Sequence, residues 1–368
     1  MTLPTPRPHV SLLAPYELAD TAAPGHSRLI QLAQNENAAL PSAAALQAAK
    51  AALATANRYP DGDAGPLREA IAAAENLSAA RIICGAGSME LLSLIAQAYL
   101  APGDEVVVSQ HGYLYFRSVT RLVGATVVMA PDRDRRMDID ALLDRVGPRT
   151  RVLFLANPNN PTGDLLPRTE VQRLRRELRE DVILVLDAAY AEYVTLPDFE
   201  PGTELVEATP NTVMTRTFSK IHGLAGLRVG WGYFPKSIAD IINRIRHPNA
   251  VTGPGIAAAA AAIADRAHMA EVRRSNAARR DGLAQALRAM GLPPYPSHGN
   301  FLLIPFASTA DAGAADRSLR SRGIILRPMA GYGMGECLRV TIGTSDEMAA
   351  VQASLGDWLS QRRSPEVA

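Results

Sequence analysis

Residues 81–215 carry a series of short apolar runs with helix-like segments between them, and no feature of the chain constrains its fold more. Residues 81–84, 105–109, 126–130, 151–155, 182–186 and 212–215 read as strands, and residues 88–100 and 113–123 as intervening helices. Apolar strands that alternate with helices are the pattern of a mostly parallel sheet covered by helices, the α/β class. Ahead of the series, residues 43–56 read as an Ala-rich helix ended by Asn57 and the turn Asp61-Gly62. Behind it, residues 235–246 read as a helix and residues 255–290 as a long, broken one leading out of the sheet. A smaller α+β unit follows, with strands near 301–304, 324–326 and 338–342 and a closing helix over 345–359. The expected division is an N-terminal arm (1–30), a large domain (31–246) and a small C-terminal domain (247–368).

A chain of 368 residues that is 47% hydrophobic can bury one large core or two unequal ones, as a soluble enzyme subunit does. Its 38 basic and 37 acidic side chains leave a net charge of +1, so no global field recruits nucleic acid or an anionic membrane. The arginines of residues 168–179 are interleaved with Glu170, Glu177 and Glu180, the pattern of a solvated, self-paired helix face. Asp132 to Arg136 reads as an exposed loop. Cys84 and Cys337 are too few for a disulfide framework or a cysteine zinc site, and both read as small buried hydrophobes. No metal is expected. With no apolar leader core and no segment of membrane-spanning length, the expected location is cytoplasmic.

The loops after these strands hold the chemistry, since parallel sheets bind ligands at the carboxyl ends of their strands. Thr217-Phe218-Ser219-Lys220 and the stretch to Arg228 place a lysine, two hydroxyls and an arginine among small residues, which suits a phosphorylated carbonyl cofactor. An imine-forming lysine must sit beside apolar or cationic groups that favour the neutral amine. Asp187 ends an apolar strand, a costly place for a carboxylate without a cation. Gly87, Ser88 and Met89 open a helix whose free N–H groups favour a phosphate dianion. Gly85-x-Gly87 is not a dinucleotide fingerprint, because Glu90 stands where the third glycine belongs. Tyr113 is placed to stack on a cofactor ring, with Tyr115 and Phe116 as alternatives.

In order along the chain, Gln34-Asn35-Glu36-Asn37, Arg58-Tyr59-Pro60-Asp61, Gly85-Ala86-Gly87-Ser88, Asn157-Pro158-Asn159-Asn160-Pro161-Thr162-Gly163, Asp187, Tyr190, Lys220, Arg228 and Leu338-Arg339-Val340 resemble the fold-type I pyridoxal phosphate (PLP) aminotransferases. The resemblance is greatest to the histidinol-phosphate aminotransferase branch. It implies that Lys220 holds PLP and shuttles a proton between the substrate Cα and the cofactor's C4′. It further implies that Asp187 keeps the pyridinium protonated, that Tyr190 and Asn160 reach the phenolic oxygen, and that Thr217, Ser219 and Arg228 bind the phosphate. Tyr59 is expected to reach that phosphate from the partner subunit of a homodimer. Arg339, Arg327 and Tyr16 are expected on the substrate phosphate, with Asn37 adjoining the substrate pocket.

The chain departs from the branch at Met89, at Ala38-Ala39 after Asn37, and at Ile221-His222 after the lysine. The implied reaction is amino transfer between histidinol phosphate and 2-oxoglutarate, without nucleic-acid or membrane partners. The alternatives are an aromatic amino-acid aminotransferase of the same branch, a threonine-phosphate decarboxylase, and a transcription regulator built on an aminotransferase domain. The last is disfavoured because the matching region begins too early for a DNA-binding domain ahead of it.

Overall fold

A computed structural model describes residues 4–11, 13, 23, 25–26 and 29–363. Its strands, among the described residues, are β1 (Ile30–Gln31), β2 (Ile82–Gly85), β3 (Glu105–Ser109), β4 (Thr126–Ala130), β5 (Thr150–Ala156), β6 (Ile183–Asp187), β7 (Thr212–Thr217), β8 (Gly230–Tyr233), β9 (Phe301–Pro305), β10 (Ile324–Ile325), β11 (Arg327–Pro328) and β12 (Cys337–Thr341). Seven of them form the main sheet, in the order β2-β8-β7-β6-β5-β3-β4. Pairing from β4 through β7 is parallel, and β8 runs antiparallel to both β7 and β2. The expected mostly parallel sheet is present. The sequence gives no sign of β8, whose Gly230-Trp231-Gly232-Tyr233 has glycine at alternate positions; pairing on both edges makes it a strand.

Successive strand residues face opposite sides, and each side has its own core. Val106, Val108, Phe154 and Val185 pack under helices Ser88–Tyr99, Leu114–Leu122 and Lys236–Ile245. Val107, Leu153, Leu155 and Leu184 pack on Ile139–Asp144 and Arg168–Glu177. A three-stranded antiparallel sheet, β11-β12-β9, builds the C-terminal unit. Its core joins Leu302, Ile304, Leu338 and Val340 to Leu319, Leu355 and Trp358 of two covering helices, Thr309–Arg320 and Ser345–Arg363.

The helix expected over 255–290 is broken at Asp265, whose carboxylate accepts from the His268 N–H at 3.0 Å and starts the second part, Arg266–Ala289. The first part, Gly253–Ala264, buries Ile256, Ala259 and Ala262 in one cluster with Met214 and Trp231 of the main sheet. At the other end, β1 pairs with β10, and Leu32 lies in the C-terminal core. By packing, helix Gly253–Ala264 joins the core of the main sheet, and Leu32 joins that of the C-terminal unit. An Ala-rich helix carries no mark of which core it joins.

The basic helix is self-paired at Arg173, which reaches Glu170 at 2.9 Å and Asp140 at 2.7 Å. Arg175 departs from that expectation: it is buried and donates to the carbonyls of Leu178, Arg179 and Val182. The 132–136 segment is likewise more than an exposed loop. Asp132 accepts from Ser109 Oγ at 2.6 Å and pairs with His111 at 2.8 Å, while Arg135 reaches Tyr295 and Glu336 of the C-terminal unit. Cys84 and Cys337 are free and buried, and burial pushes both thiols up to about 12. Among the described residues, no helix is long and apolar enough to cross a membrane.

Candidate active site

A cavity of about 410 Å³ opens where β5, β6 and β7 end and is closed by residues of β11 and β12. Four cations line it, Lys220, Arg228, Arg327 and Arg339, against two carboxylates, Asp187 and Glu36. The cavity therefore favours anionic ligands.

Lys220 lies half-buried on its wall, with Nζ donating to the carbonyls of Gln34 at 3.2 Å and Asn35 at 3.1 Å. Burial, and then the Arg339 guanidinium, pull its ammonium down to about 8. Both causes favour the neutral, nucleophilic amine. Asp187 is the last residue of β6 and accepts from Thr215 Oγ1 at 3.1 Å. Burial pushes its carboxyl up to about 6, and the Thr215 hydroxyl, the Ala189 N–H and Lys220 only partly offset that. A pyridinium nitrogen held beside it would supply a further cation and offset the cost of burial.

The opposite end of the cavity is built for a phosphate. Helix Ser88–Tyr99 begins there, preceded by Gly87 at φ 87°, and Ser88 and Met89 line the cavity. A Cβ at Gly87 would stand 2.7 Å from an Arg228 guanidinium nitrogen, so only glycine lets the arginine lie across the helix start. Arg228 Nη1 donates to Ser219 Oγ at 3.2 Å, and Thr217 Oγ1 accepts from the Ser219 N–H at 3.1 Å. Two hydroxyls, one guanidinium and the free N–H groups of a helix start thus meet at one place.

Between the two ends, Tyr113 lines the cavity. The alternatives pack elsewhere: Phe116 stacks on Phe154 in the core, with ring centroids 5.0 Å apart, and Tyr115 is engaged by Ser93 Oγ at 2.6 Å. Asn160 Oδ1 accepts from Arg339 Nη1 at 2.6 Å, which leaves its Nδ2 as the donor. Tyr190 is buried, and its hydroxyl accepts from Asn35 Nδ2 at 2.9 Å. Burial pushes that phenol up to about 12, so it stays protonated and able to donate.

Of the other expected residues, Asn37 does not line the cavity. Asn37 spends its amide on the Ile221 carbonyl at 2.8 Å and the Ala39 N–H at 2.9 Å, so it braces the turn after Lys220 instead of facing substrate. Tyr59 does not line the cavity of its own chain and is 90% exposed. Tyr16 lies outside the described residues. Conversely, Asn35, Thr215 and Tyr332 serve the site without having been expected there. Asn35 stands in a motif already singled out, and Thr215 ends an expected strand. Tyr332 follows a two-residue strand that has no periodicity to read.

A lysine primed as an amine, a buried aspartate that calls for a cation and a phosphate cradle define a site for an aldehyde-bearing phosphate cofactor, and the residues present fit PLP. The family model for aminotransferases of class I and II matches residues 27–355. This chain belongs to that family and is a PLP-dependent aminotransferase. It is 48% identical to the histidinol-phosphate aminotransferase of Paramagnetospirillum magneticum, over 98% of this chain and 99% of the relative. The enzyme of the same name from Granulibacter bethesdensis is 47% identical, with 98% of each chain covered. The crystal structure of histidinol-phosphate aminotransferase from Sinorhizobium meliloti in complex with pyridoxal-5′-phosphate superimposes with a TM-score of 0.91 at 30% identity, covering 98% of this chain and 99% of that one.

Proposed function

We propose that the enzyme transfers an amino group between histidinol phosphate and 2-oxoglutarate. One observation carries this reading: Arg327 and Arg339 are register partners on the antiparallel strands β11 and β12, and both line the cavity. Like charges at opposed positions repel, so a ligand dianion there gains from both. End-to-end similarity to relatives of that name supports the same substrate.

When bound, PLP supplies the carbonyl that links to an amine and the ring that takes up the electron pair left at the substrate Cα. The protein's own groups do the rest. Lys220 Nζ would accept the Cα proton as a neutral base and deliver it to the cofactor's C4′. Asp187 would keep the ring nitrogen protonated, Tyr190 and the Asn160 amide would donate to the phenolic oxygen, and Arg228 with Ser219 and Thr217 would hold the phosphate.

A homodimer belongs to this reading. Leu40 and Leu53 are 79% and 59% exposed on the same N-terminal stretch as Tyr59, apolar surface that a partner subunit would cover. A cytoplasmic setting belongs to it as well, as the compartment that holds glutamate and phosphorylated intermediates.

The test is a panel of histidinol phosphate, phenylalanine, tyrosine and threonine phosphate, with 2-oxoglutarate as acceptor. Arg327→Ala should lower kcat/KM for histidinol phosphate by roughly 10- to 100-fold and barely alter it for phenylalanine, whereas Arg339→Ala should lower both. Efficient turnover of phenylalanine or tyrosine, with none of histidinol phosphate and indifference to Arg327→Ala, would establish the aromatic alternative. Carbon dioxide released from threonine phosphate would establish the decarboxylase.

A further inference from the structure

Asn35 touches more of the catalytic apparatus than any role given so far explains. It is 1% exposed and holds a left-handed backbone, φ 54°, that a non-glycine residue adopts at some cost. Its carbonyl accepts from Lys220 Nζ at 3.1 Å and from Asn300 Nδ2 at 3.1 Å. Its backbone N–H donates to Thr341 Oγ1 at 2.9 Å, and that hydroxyl donates back to Asn35 Oδ1 at 3.3 Å. The second contact fixes the amide: with Oδ1 turned to Thr341, Nδ2 is the atom that faces Tyr190, at 2.9 Å.

We infer that Asn35 is a positioning residue, whose amide occupies the acceptor side of the Tyr190 hydroxyl and thereby commits that hydroxyl's proton to the cofactor's phenolic oxygen. A hydrogen bond into a hydroxyl oxygen polarises its O–H and strengthens the bond it donates. A stronger donor at the phenolic oxygen favours its anionic form and so loosens the proton on the neighbouring lysine-linked nitrogen. The other groups around Tyr190 are Arg339 from β12, Asp187 at the end of β6, Tyr332, and Lys220, whose Nζ lies 5.8 Å from the ring centroid. Asn35 Nδ2 is a direct donor to the hydroxyl, at 2.9 Å. The inference rests on Tyr190 being the donor to the cofactor oxygen.

The test is a pH titration of the visible absorbance of the PLP-loaded enzyme. Asn35→Asp keeps the shape and tolerates the left-handed backbone, but it replaces the donor with a carboxylate that draws the Tyr190 proton to itself. Its midpoint should rise by roughly half a unit to one unit, with kcat falling more than KM changes. Should Asn35→Asp fail to fold, Asn35→Gly decides: glycine takes φ 54° without strain, and the same upward shift is expected at smaller size. Tyr190→Phe should raise the midpoint too, and adding Asn35→Asp to it should add nothing further. A shift in Tyr190→Phe with none in the Asn35 variant overturns the positioning role alone. No shift in any variant overturns the reading of Tyr190 and the inference with it. An Asn35→Asp shift that persists in the Tyr190→Phe background overturns the inference by showing another route.

Discussion

Arg339 Nη1 donates to Asn160 Oδ1 at 2.6 Å, a bond that spans 179 positions of sequence and ties the C-terminal sheet to the loop after β5. The arginine proposed for the substrate anion and the amide proposed for the cofactor oxygen are therefore one hydrogen-bonded unit. Groups that share a bond in this way respond together, and single substitutions in the site will not add.

Lys220 is the first case in which burial becomes reactivity. The chain has three lysines, and the other two, Lys50 and Lys236, are exposed. With its ammonium held down to about 8, Lys220 is about half neutral at that pH, against well under 1% for a lysine of ordinary pKa, about 10.4. Competitive acylation of the cofactor-free protein, read by peptide mass spectrometry, should show Lys220 labelling rise with a midpoint near 8. PLP should protect it, borohydride reduction of the loaded enzyme should place the pyridoxyl group there, and Lys220→Ala should abolish turnover. Reduction onto Lys50 or Lys236 would refute the assignment.

Asp187 trades stability for function. Its carboxyl is raised from 3.8 to about 6, so the ionised buried form costs the cofactor-free protein stability, at most about 3 kcal/mol, fully above the higher value and not at all below the lower. Asp187→Asn should therefore raise the Tm of cofactor-free protein at pH 8, with the gain fading as the pH falls through about 6. In the loaded enzyme the same change should slow kcat by roughly 100- to 1000-fold, as when a preorganised electrostatic partner is lost. Unchanged kcat with PLP bound would place the role elsewhere.

Gly87 tests the phosphate cradle. At φ 87°, with a Cβ 2.7 Å from the Arg228 guanidinium, Gly87→Ala strains the backbone and displaces the arginine together. PLP affinity, measured by absorbance titration of cofactor-free protein, should fall at least about tenfold, whereas an alanine at Gly282, open and away from the cavity, should leave it near the parent value.

Tyr59 tests the shared site. If it acts from the partner subunit, mixing inactive Lys220→Ala with Tyr59→Ala chains should restore activity, since one site of each hybrid dimer is intact. Demonstrated subunit exchange without recovered activity would rule the shared site out.

The apolar runs at 105–109, 151–155 and 182–186 marked the inner strands of the parallel sheet by themselves, because a strand buried on both faces needs apolar residues throughout, and 126–130 marked its partly exposed edge. The same local logic marked Lys220, Asp187 and the Gly87 helix start: each stands at or just past the end of a strand, where a lysine, a carboxylate or a free helix start calls for a ligand. What the tertiary structure alone decided lies between distant segments. Sequence could not tell Phe116 from Tyr113, because both are aromatics beside one strand end and only packing sends one into the core. Nor could it show that Asn37 spends its amide on backbone, that helix Gly253–Ala264 joins the main sheet, or that Asn35 meets Tyr190 and Thr341. Side-chain hydrogen bonds and the choice of core are fixed when chain far apart in sequence comes together, and local periodicity carries no record of that.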